Sequence, residues 1–312
     1  MKKEVIFGCM GLGGGWHSKP MTVEEEANSL HVLETAWELG YRVFDHADIY
    51  TFGKAESVFG KFLNNNPAIR SQIKIQTKAG IKIGAGPGGS NTYDLSKSYL
   101  IQQVEKSISQ LRCDYLDVFM LHRADPLMQV DEVAEAFHEL KSRSLVKSFG
   151  VSNFTASQFR HFQNHLEDDL VCNQIQFSLE HSGLLNALVE FENNNQDYSD
   201  ASGLYELFAN KKVELQAWGS LDRGKYLGPV TNDDSEVIRQ TKQLLEELAH
   251  NYNTSSYAIL IAWLNKLPFN VSAIVGTTNI DRLALIKAGE QINISREDWY
   301  RLWITSRGRA LP

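Results

Sequence analysis

Cysteine is scarce in this sequence, and the patterns that mark secreted or membrane proteins are missing. The chain has 312 residues and only three cysteines, Cys9, Cys113 and Cys172, at wide spacing. Such an odd, dispersed set suits buried thiols in a reducing compartment better than a disulfide framework. The N-terminal apolar segment is short, and no stretch approaches the roughly 18 to 20 apolar residues of a membrane span. We therefore expect a cytoplasmic protein with no membrane partner.

Basic clusters and metal-binding motifs are missing as well. The 31 Lys and Arg residues are outnumbered by 38 Asp and Glu residues, the formal net charge is -7, and no Lys/Arg-rich run occurs. This balance disfavours binding to nucleic acid. The sequence has no H-E-x-x-H segment and no paired cysteines of the kind that bind zinc, so we expect no metal site.

The chain also lacks a Pro/Ser-rich linker, and short β-rich runs alternate with amphipathic helical runs along its whole length. The predicted strands lie in EVIFGC, YRVFD, IKIQT, YLDVFML, VKSFGVS, LVCNQI, VELQAW and VSAIVG. Helices are predicted near 22–39, 55–65, 96–111, 130–143, 155–165, 203–210, 235–250, 255–266 and 281–289. Eight such units favour an α/β fold of the (β/α)₈ TIM barrel type, with residues 1–312 as a single domain, over a doubly wound sheet. The polar segment 189–203 is predicted to be a rim insertion.

Polar side chains recur at the predicted C-terminal ends of the strands, which is where TIM barrels place their active sites. They are Asp45, Tyr50, Lys78, His122, Ser152, Asn153 and Gln174. Taken singly, each has an ordinary structural interpretation: an Asp after a strand often caps a turn, and a lone His there is usually a core residue. Their convergence on one rim indicates an active site.

The first four of these residues form a plausible proton-transfer group. The phenol of Tyr50 would be the acid, and a nearby ammonium at Lys78 would favour loss of its proton. Asp45 would keep Lys78 charged, while His122 would hydrogen-bond the substrate oxygen. The group has no good nucleophile, which leaves reduction of a carbonyl. That reaction needs a hydride donor, so a nicotinamide or flavin is expected at the same rim.

Two glycine-containing segments are candidates for a phosphate site. The segment GLGGGW, residues 11–16, is not followed directly by a helix, so it lacks the context of a dinucleotide fingerprint, and Trp16 is better interpreted as a pocket wall. The segment IVGTTNIDRL is more suitable, because a helix begins at Asp281 and Arg282. Its candidate phosphate ligands are Gly276, Thr277, Thr278 and Arg282.

These residues resemble the aldo-keto reductase family, and in particular its bacterial oxidoreductases. Asp45, Tyr50, Lys78 and His122 match the family's Asp/Tyr/Lys/His tetrad in order and strand position, and GYRVFDHAD is similar to its Gly-Tyr-Arg-x-x-Asp-x-Ala segment. The segments GVSNF and CNQIQFS resemble the clamp that holds the nicotinamide carboxamide. The resemblance assigns this role to Ser152, Asn153 and Gln174.

The resemblance also implies NADPH as the cofactor. Trp218 stands where the family often stacks an aromatic ring on the nicotinamide, and Ser220 and Leu221 follow it. Thr277 and Arg282 match positions that contact the adenosine 2'-phosphate, whereas Gly276 replaces a residue that is basic in many members. The loop TFGKAES after the tyrosine is similar to the branch that includes potassium-channel β subunits.

Three functions are consistent with the sequence. The leading one is an NADPH-dependent reductase of aldehydes or ketones, with Tyr50 as general acid and a small carbonyl compound as its partner. The second is an NADPH-sensing binding protein that resembles channel β subunits and has weak turnover. The third is an isomerase or hydrolase that uses Asp45 and His122 without a redox cofactor. The sequence fixes neither the substrate nor the oligomeric state.

Overall fold

The computed structural model describes residues 3–190, 201–210 and 212–312. Eight parallel strands pair in chain order, and the eighth pairs with the first, so that they close into a barrel. They are β1 (Ile6–Gly8), β2 (Val43–Asp45), β3 (Lys74–Ala79), β4 (Leu116–Leu121), β5 (Val146–Ser152), β6 (Cys172–Gln176), β7 (Glu214–Trp218) and β8 (Val271–Val275). The predicted (β/α)₈ barrel is confirmed, and the doubly wound sheet is excluded.

Helices lie between and after the strands. They are α1 (Val23–Glu38), α2 (Lys54–Asn65), α3 (Lys97–Leu111), α4 (Val130–Ser142), α5 (Ala156–Gln163), α6 (Gly183–Val189), α7 (Leu204–Ala209), α8 (Glu236–Asn251), α9 (Ser256–Asn265), α10 (Ile280–Lys287) and α11 (Arg296–Arg307). All nine predicted helical regions contain a helix, whereas α6 and α11 were not predicted. No helix in the described part of the chain is long and apolar enough to cross a membrane.

Side-chain caps explain where several helices begin. The hydroxyl of Thr22 accepts a hydrogen bond from the backbone N–H of Glu25, and the Glu25 carboxylate accepts one from the N–H of Thr22. Thr155 and Gln158 form the same reciprocal arrangement at the start of α5. Each capping box satisfies two N–H groups that the first helical turn would leave without partners.

Strand register sets the level of the candidate site. Asp45 of β2 is paired with Gln76 of β3, and two residues further along β3 Lys78 is paired with Met120 of β4. In a parallel barrel the C-terminal strand ends lie at one rim. The register therefore brings the Asp45 and Lys78 side chains to the same rim of the barrel.

The residue contacts divide the chain into two units. One unit contains Ile6–Gln174 and Gly276–Ile280, and therefore all four tetrad residues. Its core includes Phe137 of α4, which stacks on Phe149 of β5 with ring centroids 4.0 Å apart. Helices α2 and α3 approach closely at Gly60, where an added Cβ would lie 2.1 Å from the Gln110 carbonyl oxygen. A side chain at that position would force the two helices apart.

The other unit contains the residues up to Val5, the described residues of Ile175–Val275, and Asp281–Pro312. Its centre is a pair of tryptophans, Trp263 of α9 and Trp299 of α11, whose rings are stacked with centroids 5.4 Å apart. Each indole N–H donates to the backbone carbonyl of the other residue, at 3.2 and 3.0 Å. The pair therefore joins two helices through both stacking and reciprocal hydrogen bonds.

A short antiparallel ribbon follows β3. The segment GAGPGGSN, residues 84–91, connects its two strands, Ile81–Lys82 and Thr92–Tyr93. Residues 191–200 of the predicted rim insertion lie outside the described residues.

Candidate active site

A buried ion pair lies at the centre of the site. Lys78 and Asp45 are 1% and 2% exposed, and the ammonium Nζ donates to both carboxylate oxygens at 2.8 Å. Nζ also donates to the backbone carbonyl of His46 at 2.6 Å and lies 5.0 Å from the centroid of the Tyr50 ring. Burial alone would lower the pKa of Lys78, but the neighbouring Asp45 and Tyr50 together raise it. Lys78 is therefore held as a cation by its ion pair with Asp45.

Two buried amides complete the surroundings of Asp45. The side-chain N–H groups of Gln76 and Gln174 donate to Asp45 Oδ1 at 2.7 and 3.0 Å. Sequence reasoning did not single out Gln76, which lies two positions before Lys78 and therefore faces the same side of β3. Gln174 was predicted to hold the nicotinamide carboxamide, and here its amide contacts the tetrad carboxylate. These donors orient Asp45 toward Lys78.

The general-acid candidate Tyr50 is held by an unusual turn. It begins a 3₁₀ turn in which Thr51 and Phe52 have positive φ values of 48° and 60°. Such values are strained for residues other than glycine and are often found at functional sites. The Thr51 hydroxyl donates to the Leu12 carbonyl at 2.9 Å, which ties the turn to the first loop. This hydrogen bond helps to hold the strained turn that begins at Tyr50.

The environment of Tyr50 acts on its proton in two opposing directions. Burial raises its pKa to about 12, while the charge of Lys78 works to lower that pKa. The effect of burial is the larger of the two, and the sequence did not indicate it. At neutral pH the phenol therefore keeps its proton and is available as a donor.

His122 lies beside the phenol. Its ring and that of Tyr50 are edge to face, with centroids 6.1 Å apart. Burial, followed by the charges of Lys78 and Arg123, holds the pKa of His122 well below its usual range, so the imidazole is neutral. Its Nδ1 is buried and has no hydrogen-bond partner among the described residues. A neutral ring next to Tyr50 can hydrogen-bond the same substrate oxygen.

The predicted carboxamide clamp begins at the end of β5. Ser152 is buried, and its hydroxyl donates to the Gln174 carbonyl at 3.0 Å. Asn153 has a positive φ of 60°, and its side-chain N–H groups donate to the Ser152 hydroxyl at 2.9 Å and to the His122 carbonyl at 3.3 Å. Polar groups held in this way can offer a fixed set of donors and acceptors to an amide ligand.

The predicted phosphate segment leads from β8 into α10. Gly276 and Thr278 are exposed, and Thr277 accepts a hydrogen bond from the Asn279 N–H at 3.2 Å. The start of a helix favours an anion, because the helix dipole places partial positive charge there. The prediction that a helix begins directly after these residues is confirmed.

The remaining cofactor candidates lie in the other unit. Trp218 ends β7 and is partly exposed, and the buried Ser220 donates to the Ile274 carbonyl at 2.9 Å. Leu221 is partly exposed in the loop that follows, and Arg282 is exposed in the first turn of α10. These positions leave part of Trp218, Leu221 and Arg282 accessible to a ligand.

The loop after β7 contains a polar cluster that the sequence analysis missed. Carboxylate oxygens of Glu180 and Asp222 and a ring nitrogen of His181 lie within 4.8 Å of one another, although Asp222 is about 40 residues distant in sequence. Asp222 accepts a hydrogen bond from the Ser178 hydroxyl, and Glu180 is ion-paired with Lys225. These contacts attach the loop that contains Ser220 and Leu221 to the segment that follows β6.

A second buried carboxyl group, Asp48, lies three residues after Asp45. Burial, and then the nearby Glu56, raise the pKa of Asp48 to about 7, and its Oδ1 has no hydrogen-bond partner among the described residues. Glu56 is also buried, which raises its pKa, and it accepts a hydrogen bond from the Thr77 hydroxyl at 2.7 Å. His46, packed against Phe59, is fully buried with its pKa lowered to about 3.

A closed (β/α)₈ barrel with a buried ion pair and titratable side chains at one rim is typical of an enzyme. A sequence model of the Aldo/keto reductase family matches residues 4–304. The chain belongs to the aldo/keto reductase family, and is an oxidoreductase of the carbonyl-reducing type found there. The family expected from the sequence is thereby confirmed.

Relatives and a solved structure agree with this assignment. The uncharacterized oxidoreductase YcsN of Bacillus subtilis is 32% identical over 92% of this chain and 91% of that protein. The oxidoreductase YdhF of Escherichia coli is 31% identical over 90% of this chain and 88% of that protein. An aldo-keto reductase from Klebsiella pneumoniae, solved in complex with NADPH, has a TM-score of 0.73 and 20% identity, and covers 100% of this chain and 96% of that chain. At that identity the likeness establishes a shared fold.

Proposed function

We propose that the protein reduces aldehydes or ketones with NADPH and that Tyr50 is the general acid. The observation that carries the proposal is the position of Lys78, whose ammonium is ion-paired with Asp45 and lies 5.0 Å from the centroid of the Tyr50 ring. A lysine used only for packing would not need to be aligned with a phenol at the rim. The arrangement supports an acid that is buried and protonated, yet adjacent to a positive charge.

Residues at the rim support this cofactor. Ser152 and Asn153 present polar groups suited to a carboxamide, and Thr277 and Thr278 precede the N-terminus of α10. NADPH, when bound, supplies a hydride, and the overall change is R–CHO + NADPH + H⁺ → R–CH₂OH + NADP⁺. The Klebsiella protein in complex with NADPH supports this choice of nucleotide.

The protein's own residues would act on the carbonyl oxygen. Tyr50 would transfer its proton to this oxygen as negative charge develops there, and Lys78 would stabilise the phenolate that remains. The neutral imidazole of His122 would hydrogen-bond the same oxygen and orient it toward Tyr50. Asp45, fixed by Gln76 and Gln174, would act through Lys78 and not on the substrate.

Substitution Tyr50→Phe tests this assignment. The ring and its packing remain while the transferable proton is lost, so we expect turnover to fall by about 10² to 10⁴-fold while NADPH binding is retained. Single-turnover rates and NADPH fluorescence titrations would measure the two effects. The matched control is Tyr115→Phe, because Tyr115 directly precedes β4 and so lies at the end of that strand opposite to His122. Turnover of Tyr50→Phe within a few-fold of the parent would remove Tyr50 from the mechanism.

Nucleotide preference is tested at α10. An arginine contact with the 2'-phosphate of NADPH is a charge-assisted hydrogen bond, which contributes on the order of 1.5 to 3 kcal/mol, or roughly ten- to a hundredfold in affinity. Arg282→Ala should weaken NADPH by that factor and leave NADH almost unchanged, and Arg296→Ala should change neither. Equal losses for both nucleotides would contradict selection of the 2'-phosphate by Arg282.

A nucleotide-sensing protein with weak turnover is the second candidate, motivated by the sequence of the loop after Tyr50. It would bind NADPH normally yet reduce a broad panel of carbonyl compounds only slowly. The ion pair of Asp45 with Lys78, placed beside Tyr50, favours the enzyme, because a sensor has no need of an aligned proton donor.

A further inference from the structure

An arginine stands next to the histidine of the tetrad. Arg123 directly follows His122 beyond the end of β4, and its side chain is exposed. Among the described residues no hydrogen bond or ion pair involves its guanidinium, in contrast to Arg70, Arg143 and Arg301. An arginine side chain stays charged throughout the working range of enzymes and cannot donate a catalytic proton there. Arg123 thus contributes an unmatched positive charge to the rim.

The charges around His122 are not balanced. The two ionic groups that act on its imidazole are Lys78 and Arg123, and both are cations. The charge of Lys78 is compensated by Asp45 at 2.8 Å. Arg123 has no such counterion: the nearby Asp125 accepts a hydrogen bond from the Leu127 N–H at 2.9 Å and makes no ion pair with Arg123. Arg123 therefore adds a positive charge near His122 that has no counterion among the described residues.

We infer that Arg123 is a specificity-determining residue that selects carbonyl substrates bearing a carboxylate. The inference rests on the proposed function, because it assumes that a carbonyl oxygen lies between Tyr50 and His122. The carboxylate would lie toward solvent, where the planar guanidinium can bind both of its oxygens. A neutral aldehyde of the same size would react at the same tetrad but would lack this contact.

One other cation on this part of the rim must be distinguished from Arg123. Lys54 donates to the Gly15 carbonyl at 2.8 Å, in the loop that also contains Trp16. The Trp16 ring lies 6.5 Å from that of Tyr50, so Lys54 is a second source of positive charge near the site. Its contact with a backbone carbonyl holds its ammonium away from a free substrate group.

The experiment compares substrates that differ only in charge. With NADPH as reductant, kcat/KM is measured for 2-, 3- and 4-carboxybenzaldehyde and for the methyl ester of each. The parent enzyme should prefer at least one carboxylate over its ester by about tenfold or more. Arg123→Gln should reduce this ratio to near 1, and Arg123→Lys should retain part of it. Raising the salt concentration should lower the ratio of the parent and not that of Arg123→Gln.

Two further variants serve as controls. Arg112→Gln removes an exposed arginine that lies between α3 and β4, at the end of β4 opposite to His122. This substitution should change neither the carboxylate-to-ester ratio of kcat/KM nor turnover. Lys54→Gln should leave the ratio largely intact. The inference would be overturned if Lys54→Gln, but not Arg123→Gln, lost the preference for carboxylates over esters. It would also be overturned if the parent enzyme showed a carboxylate-to-ester ratio near 1 for all three isomers. If the parent reduces neither acids nor esters, nor any neutral aldehyde, the proposed function itself fails.

Discussion

Two buried carboxyl groups, three residues apart in the same segment, have opposite surroundings. Asp45 accepts four hydrogen bonds, two from Lys78 and one each from Gln76 and Gln174. Asp48 is also buried, but its Oδ1 has no partner among the described residues, and burial raises its pKa to about 7. The difference shows that burial alone does not decide whether a carboxylate stays charged. The donors around it decide, and here they are concentrated on the residue that faces the site.

Removing the cation from the Asp45 cluster should have the largest effect. Lys78→Met leaves Asp45 buried without its ion-pair partner, which typically costs about 3 to 5 kcal/mol of unfolding free energy. Urea unfolding would measure this loss, and turnover should also disappear. Adding Asp45→Asn to Lys78→Met should recover part of the stability but no activity. A single variant as stable as the parent would contradict the charge pairing.

Neutralising Asp48 should stabilise the protein at high pH. Because its folded-state pKa, about 7, lies above the unfolded value of 3.8, the unfolded chain releases this proton first. Its contribution to stability therefore falls as pH rises from about 4 to about 7. Asp48→Asn should be more stable than the parent by roughly 2 to 4 kcal/mol at pH 8, and the difference should shrink toward pH 4.5. Denaturation at a series of pH values would test this.

The groups that face Asp48 limit how this result is interpreted. Burial has the largest effect on the pKa of Asp48 and Glu56 raises it further, while Lys106 and Lys78 work to lower it. After burial, the charge of Asp48 in turn raises the pKa of Tyr99. Glu56→Gln is therefore the informative companion, because it should lower the pH at which Asp48 ionises. A pH-independent difference between Asp48→Asn and the parent would show that Asp48 does not titrate in this range.

His46 should give the opposite pH dependence. Its folded-state pKa of about 3 lies below the unfolded value of 6.5, so the unfolded chain takes up a proton first as pH falls. The stability that the neutral ring contributes is lost below pH 6.5, by about 2 kcal/mol at pH 5. His46→Met should remove that loss, so its stability relative to the parent should improve between pH 7 and pH 5. Unchanged relative stability would exclude His46 as the titrating group.

A surface ion pair provides the smallest effect and a matched control. Lys61 and Glu26 form a salt bridge in which both side chains are about one-third exposed. Exposed pairs typically contribute less than about 1 kcal/mol. Lys61→Met makes the same chemical change as Lys78→Met, and it should lower the free energy of unfolding in urea by no more than about 1 kcal/mol. Similar losses for both variants would mean that removal of the aliphatic chain, rather than of the charge, dominates at Lys78.

The sequence predicted the parts of this structure that depend on local pattern. The eight strands were identifiable because short apolar runs alternate with helical ones, and the barrel rule then placed Asp45, Lys78 and His122 at one rim. The amide contacts of Gln76 and Gln174 with Asp45 were not predicted, because they depend on side-chain rotamers set by neighbouring strands. Helix α11 was missed, although Trp299, Leu302 and Trp303 recur at helical spacing and are buried.

The electrostatics were harder to predict than the positions. The charge of Lys78 next to Tyr50 could be inferred from strand order, but the degree of burial that raises the Tyr50 pKa depends on the packing of the whole rim. Arg123 carried no signal in the sequence, because a single arginine after a strand is usually a solvated surface residue. Only the absence of a counterion among the described residues made it notable.

The tryptophan pair of α9 and α11 has a spectroscopic consequence. The rings of Trp263 and Trp299 are stacked with an interplanar angle of 6°, and their N–H groups are reciprocally bonded to backbone carbonyls. Two indoles in such a fixed, close arrangement are expected to couple their electronic transitions and to add an aromatic contribution to the circular dichroism of the folded protein. That contribution needs no label and should be lost when the two helices separate, as a comparison with Trp263→Phe would show.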